Sequence, residues 1–273
     1  MWYHFRLLEH CNLKCSHCYA ASNNREMKMS KRTFKEAIRS IYLSDTFCVS
    51  ENTIYLSGGE PLLHEDFPFF ISYAYRLFDK INLLTNGIKI PEFIGILNSY
   101  KDKLRVQVSL EGTEEINDQI RGKGVFKKVI QSLSMLHQWG INHSISYTVS
   151  RINKHCINDV INILKETNSL HNNISPYTGN PEIMLSMDEW EEFKREAEIE
   201  ASKQGLSAIF HGTGACGFQY TCGEFFSGVT INPDGTLTGC ARNPQKIYRH
   251  ELLDEIMYDR PRLMRETCMA GKW

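Results

Sequence analysis

Along the 273-residue chain the spacing of apolar and polar positions alternates between two periods. Short apolar or alternating runs over 3–8, 53–57, 81–85, 104–110 and 143–149 read as strands, with a weaker sixth over 172–177. Between them lie stretches with the three-to-four spacing of amphipathic helices, near 30–45, 66–79, 91–100, 124–139, 155–168 and 187–203. The last carries a start signal, because Ser186 suits an N-cap and Glu189 completes a capping box. Strands alternating with helices predict βαβ units and a parallel sheet. Six units are too few to close an eightfold barrel. The expected fold is therefore α/β, a partial (β/α)6 TIM-like barrel.

Beyond about residue 205 the helical period stops, and Gly, Thr and Cys become dense from His211 to Gly217. A hairpin is expected after that. Gly228-Val229-Thr230-Ile231 leads into a turn at Asn232-Pro233-Asp234-Gly235, and Thr236-Leu237-Thr238 leads out towards Cys240. The organisation read from the sequence is a barrel over residues 1–205 and a small C-terminal domain over 206–273, built around metal.

Chemistry changes the picture most at the strand ends. In parallel α/β folds the site lies beyond the carboxyl ends of the strands, and the motifs follow that rule. Cys11, Cys15 and Cys18, spaced C-x3-C-x2-C, come after the first strand; Ser57-Gly58-Gly59-Glu60-Pro61 comes after the second; Thr85-Asn86-Gly87 comes after the third; Ser109 and Glu111 close the fourth. Three thiolates on one short loop suit three irons of a four-iron four-sulfur cube and leave the fourth iron open for reaction. A C-x2-C pair is also a zinc hairpin, so zinc stays open on spacing alone.

Composition narrows the setting. Arg6 and Glu9 interrupt any signal-peptide run, so nine cysteines point to reduced thiols and metal in the cytoplasm, not to disulfides. A net charge of −1, from 31 basic and 32 acidic side chains, gives no electrostatic case for nucleic acid. No apolar stretch approaches the length needed to span a bilayer.

The run Cys11-Asn12-Leu13-Lys14-Cys15-Ser16-His17-Cys18-Tyr19, taken with Gly58-Gly59-Glu60-Pro61, resembles the radical S-adenosylmethionine (radical SAM) superfamily. The resemblance implies that the open iron chelates the amino and carboxylate groups of S-adenosylmethionine. It also implies an electron donor such as flavodoxin or ferredoxin, and a 5′-deoxyadenosyl radical that takes a hydrogen atom from substrate. Carried onto this chain, it places Tyr19 at the adenine, Gly58, Gly59 and Glu60 at the amino group, Asn86 at the ribose, and Ser109 and Arg121 at the carboxylate. An arginine fork suits a carboxylate, and Gly58 and Gly59 suit a close approach of backbone to ligand.

A second cysteine set, Cys216, Cys222, Cys240 and Cys268, includes Cys222-x12-Gly235-x4-Cys240, which resembles the SPASM/Twitch extension. The resemblance implies one auxiliary four-iron four-sulfur cluster with four protein thiolates, since the C-x2-C-x5-C run of the longer SPASM form is missing. Zinc on the same four thiolates is the alternative. Cys48 reads as a small core residue. Cys156 follows the fifth strand on the active rim, where a thiol could return a hydrogen atom to a carbon radical, although a buried free cysteine is the commoner outcome.

The segment from Val108 to Phe126 resembles the peptide-modifying SPASM/Twitch enzymes, which implies a peptide substrate and crosslinking, epimerisation or oxidation. Sulfatase maturases carry an Asp after the cysteine matching Cys240; here Ala241 and Arg242 follow, which argues against that activity. The cluster loop begins at residue 11, so leader recognition is expected on the barrel surface or on a separate protein. A small-molecule dehydrogenase or epimerase of the aminocyclitol or sugar type is the alternative, and a non-enzymatic zinc-binding module is the third reading.

Overall fold

The computed structural model describes residues 2–18, 26–43, 52–169, 171–206, 208–210, 228–238 and 248–249. In chain order the first elements are β1 (Trp2–Arg6), α1 (Lys31–Leu43), β2 (Thr53–Ser57), α2 (Phe67–Leu77), β3 (Lys80–Thr85) and α3 (Ile90–Asn98). There follow β4 (Leu104–Ser109), α4 (Glu114–Arg121), α5 (Val125–Gln138), β5 (His143–Val149), α6 (Ile157–Glu166), β6 (Asn172–Pro176) and α7 (Met187–Lys203). The chain ends with β7 (Ala208–Phe210), β8 (Gly228–Ile231), β9 (Thr236–Thr238) and β10 (Tyr248–Arg249). It divides into two units, one of residues 1–12, 22–83 and 215–273, the other of residues 13–21 and 84–214. Among the described residues no helix is long and apolar enough to cross a membrane.

In the first unit β1 lies between β2 and β8 and runs parallel to both, with β3 beyond β2 and the antiparallel pair β9 and β10 beyond β8. Register aligns Tyr3 with Ile54 and Val229, and Phe5 with Leu56 and Ile231. Side chains at one register level share a face, and all six of these are buried. Phe34 of α1 closes on Phe5 at 4.8 Å between ring centres, and Phe78 closes on Tyr3 at 6.1 Å. The same helix buries Phe34, Ala37, Ile38 and Ile41, the three-to-four stripe that its sequence announces. Burial of each large side chain contributes about 1.5–3 kcal/mol, so this face holds the unit together.

The expected hairpin is present. Asn232 donates its N–H to Thr236 O at 2.8 Å, Gly235 takes φ +85° at the turn, and Asp234 Oδ1 accepts the Thr236 N–H at 3.0 Å. Its first strand, assigned by sequence to a C-terminal domain, adds in parallel to β1.

In the second unit β4, β5, β6 and β7 are parallel neighbours in that order. The capping box on α7 forms as its sequence requires: Ser186 Oγ accepts from Glu189 N at 3.2 Å, and Glu189 Oε2 accepts from Ser186 N at 2.8 Å. The helix then buries Trp190 and Phe193, whose rings stack 5.7 Å apart.

One helix was hidden in the apolar pattern. At eight residues α4 is too short for a period to show, and its signals are local. Thr113 caps it by accepting from Ile116 N, Glu114 and Glu115 favour its positive end, and Gly122 at φ +116° ends it. Asn117 on this helix is fully buried and accepts the Glu111 N–H at 3.1 Å, which fixes the loop after β4. Asn153 does the same from the loop after β5, donating to Glu111 O at 3.1 Å and to Thr148 O at 3.0 Å.

Candidate active site

The two glycines after β2 lie against the backbone that follows β1. β1 continues past its last strand residue, so that Leu7 N–H meets Ser57 O at 2.8 Å, Gly59 N–H meets Leu8 O at 2.7 Å and Glu60 N–H meets His10 O at 2.9 Å. A Cβ on Gly58 would stand 2.3 Å from Leu8 O, and one on Gly59 would stand 2.0 Å from His10 O. The glycines thus let the loop after β2 lie against the backbone that leads into Cys11. Glu60 is fully buried and its Oε1 accepts from Leu62 N at 3.1 Å. Gly59→Ala is expected to part the two loops and lose both adjacent backbone bonds, a cost of about 1–3 kcal/mol at 0.5–1.5 kcal/mol each. The urea midpoint should fall accordingly, and an unchanged midpoint would contradict the close contact.

In the second unit the end of the cysteine loop is tied to α4. Ser16 N–H donates to Ile120 O at 2.9 Å, and Cys18 N–H turns back to Cys15 O at 3.1 Å. Between those cysteines His17 points its Nε2 at Glu111 Oε1, 3.4 Å away, and Arg121 Nη1 meets the same oxygen at 2.9 Å. The other carboxylate oxygen accepts the Thr148 N–H at 3.0 Å. Burial by itself raises the Glu111 carboxyl, but the His17 and Arg121 charges and the Thr148 N–H outweigh it and hold the group below the usual carboxylate range. Glu111 is therefore a buried anion that orients His17 and Arg121 beside the cysteine loop. Sequence reading passed over this pairing, for which the only signals were a histidine inside C-x2-C and an acid closing the fourth strand.

Arg121 retains an unused donor, since its Nε is buried without a hydrogen-bond partner. Ser109 Oγ reaches Thr85 O at 3.5 Å. Asn86 is buried, and its Oδ1 accepts the Ile88 N–H at 3.0 Å, which holds the turn after β3. His64 is structural: Nδ1 accepts from Asp66 N at 3.0 Å, so Nε2 carries the proton that faces Met29 O at 3.1 Å.

Cys156, which the sequence offers as a hydrogen-atom donor, is fully buried at the start of α6 and lies against Gly112. Burial pushes its thiol up, with a partly opposing hydrogen bond from Thr113.

Cys11 and Cys15 are half-buried and Cys18 is exposed, and none of the three is in a disulfide with another described cysteine. Among the described residues no three His, Cys, Asp or Glu side chains stand together as a metal site. Tyr19, Cys48, Cys216, Cys222, Cys240 and Cys268 lie outside the described residues. The donor set nevertheless suits an iron–sulfur cube: three cysteine thiols on one loop, with the unused Nε of Arg121 on the helix to which that loop is tied.

A parallel α/β core whose first strand runs into a loop of three cysteines defines the class of this protein. The family model of the Radical SAM superfamily matches residues 6–164, more than half of the chain, and the chain belongs to that superfamily. It is 32% identical over 146 residues to the mycofactocin maturase MftC of Mycolicibacterium smegmatis, across 52% of this chain and 36% of that protein. It is 25% identical over 293 residues to the antilisterial bacteriocin subtilosin biosynthesis protein AlbA of Bacillus subtilis, across 98% of this chain and 64% of that protein. The chain thus spans between about a third and two thirds of the length of these relatives. Its fold is that of Streptococcus suis SuiB, with a TM-score of 0.77 at 15% identity over 95% of this chain and 66% of that one. SuiB has also been solved with S-adenosylmethionine and with its precursor peptide SuiA. The partial-barrel expectation is compatible with this fold, and the SPASM/Twitch-type expectation stands at the level of superfamily and architecture.

Proposed function

We propose that the chain is the catalytic barrel of a radical S-adenosylmethionine enzyme that modifies a peptide. The observation that carries this reading is the bond from Ser16 to Ile120, which sets the cysteine loop beside Arg121 and its unused Nε. Cys11, Cys15 and Cys18 would hold the cluster. When bound, the cluster and S-adenosylmethionine supply an electron and an adenosyl radical able to take a hydrogen atom from substrate.

The protein's own part is position and exclusion. Arg121 Nε, with Ser109, would hold the cofactor carboxylate, and Glu111 keeps that guanidinium in one orientation. Glu60 and the Gly58-Gly59 backbone would meet the amino group, Asn86 the ribose and Tyr19 the adenine. The peptide class is supported by the relatives named as maturases and by SuiB bound to SuiA. The setting proposed is cytoplasmic, with a flavodoxin- or ferredoxin-type reductant.

Cys216, Cys222, Cys240 and Cys268 would ligate one auxiliary cluster. Replacing Cys216 and Cys222 together is then expected to lower iron from about eight to about four atoms per chain. Retention of the full iron content would remove the auxiliary cluster from the account.

The test of the peptide assignment uses reduced, cluster-loaded protein with S-adenosylmethionine and a set of candidate precursor peptides. A loss of two hydrogens from the peptide, or solvent deuterium in it, is expected. Formation of 5′-deoxyadenosine with an unaltered peptide, and oxidation of an aminocyclitol or sugar instead, would favour the small-molecule reading.

A further inference from the structure

We propose that Arg6, with Thr230 and Asn232, forms a subsite for a carboxylate of the substrate on the polar face of β1, β2 and β8. The proposal rests on the reading above and names a chemical feature of the substrate. Three observations carry it.

The first is facing. Register places His4 level with Tyr55 and Thr230, and Arg6 level with Ser57, one residue out of phase with the Tyr3 and Phe5 rows. Tyr3 and Phe5 pack on Phe78 and Phe34. Arg6 and its neighbours therefore occupy the opposite face of the sheet.

The second is unused bonding capacity. A polar row inside a fold is costly unless each group finds a partner. His4 Nε2 and Ser57 Oγ satisfy each other. Arg6 is different: Nη1 reaches the neutral Asn232 Oδ1 at 3.2 Å, while its Nε is buried without any acceptor. No carboxylate of the described residues forms an ion pair with this guanidinium. Thr230, only 1% exposed, has an Oγ that is also without a partner. A cationic donor and a hydroxyl thus remain unspent on adjacent strands.

The third is charge. Burial, followed by the Arg6 charge, lowers His4 to about 4, so that ring is neutral and contributes no second cation. A planar guanidinium with a free edge matches a carboxylate in two parallel hydrogen bonds, and a nearby hydroxyl can donate a third. A cationic group would be repelled, and a neutral amide would leave the charge uncompensated.

In a peptide the carboxylate can belong to an Asp or Glu side chain or to the chain terminus, and the experiment separates the two. Cluster-loaded protein is dialysed to equilibrium, without air, against labelled N-acetylglutamate α-amide, N-acetylalanine or the neutral N-acetylglutamine α-amide. The first carries a side-chain carboxylate and the second a terminal one. One carboxylate is expected to bind about tenfold more tightly than the neutral probe, the worth of a charge-assisted pair. Arg6→Gln should erase that preference, Arg6→Lys should keep part of it, and Thr230→Val should weaken it by about threefold.

Equal binding of all three probes by the unaltered protein would overturn the proposal, as would a preference that survives Arg6→Gln. A fall in S-adenosylmethionine affinity in Arg6→Gln would assign the guanidinium to the cofactor, and so also overturn it. Should Arg6→Gln not fold, Thr230→Val with the same probes decides, an undiminished preference counting against the subsite. Failure of the radical reading looks different: no 5′-deoxyadenosine from the unaltered protein, with the carboxylate preference intact.

Discussion

Replacing Cys11, Cys15 or Cys18 by alanine is expected to abolish reductive cleavage of S-adenosylmethionine and to remove the iron that this loop holds. The size of the effect follows from the ligand count. A cube held by three thiolates loses a third of its protein ligands with each substitution, and alanine offers no donor in exchange. The fold should survive, because the loop is anchored by backbone bonds from Ser16 to Ile120 and from Gly59 to Leu8, not by the thiols. Far-ultraviolet circular dichroism should therefore match the unaltered protein while iron falls and 5′-deoxyadenosine drops to background. A variant that kept both iron and cleavage would show that the loop is not the cluster site.

The largest structural effect is expected from Glu111→Ala. This carboxylate is 1% exposed and serves Arg121, His17 and the Thr148 N–H at once. Removing it leaves a buried guanidinium without its counter-ion, which costs about 3–5 kcal/mol in comparable cases. Equilibrium unfolding in urea should report that loss. Replacing both partners, as in Glu111→Leu with Arg121→Met, should recover much of it, because no uncompensated charge then remains. Additive losses in the double variant would mean that the two residues act separately.

The same carboxylate sets a direction for pH. Its folded value lies below its unfolded one, so its stabilisation is complete above the ordinary range near about 4.3 and is lost as pH falls through the lower folded value. Glu111→Gln should flatten the acid limb of the stability curve, and an identical acid limb would count against a buried anion.

How much of this was legible beforehand depends on whether the signal was local. Ser186 and Glu189 announce α7, and Asn232 to Gly235 announce the hairpin, because each signal lies within four residues of its effect. The alternation of β1 through β5 with helices was equally readable, since each of these strands buries apolar residues at alternate positions. Eight-residue α4 was not, because its buried Asn117, Ile120 and Arg121 do not form an apolar stripe. The parallel return of β8 to β1 joins residues more than two hundred positions apart, and no spacing rule encodes that.

The site divides in the same way. Three cysteines and Gly58-Gly59-Glu60 declare themselves by spacing, yet what the glycines approach is the backbone of Leu8 to His10, which only the fold shows. Glu111 was visible at the end of the fourth strand, while its partners, His17 on the cysteine loop and Arg121 at the end of α4, meet it only through tertiary packing. Cys156 follows the fifth strand, and its full burial is something that the sequence period does not encode.

The most direct test of the account is made on the unaltered protein, purified and kept without air, by measuring iron, inorganic sulfide and the product formed with S-adenosylmethionine under dithionite. Equal iron and sulfide, visible absorption and 5′-deoxyadenosine are the predicted result. A colourless protein holding zinc, free of sulfide and inert towards S-adenosylmethionine, would contradict it.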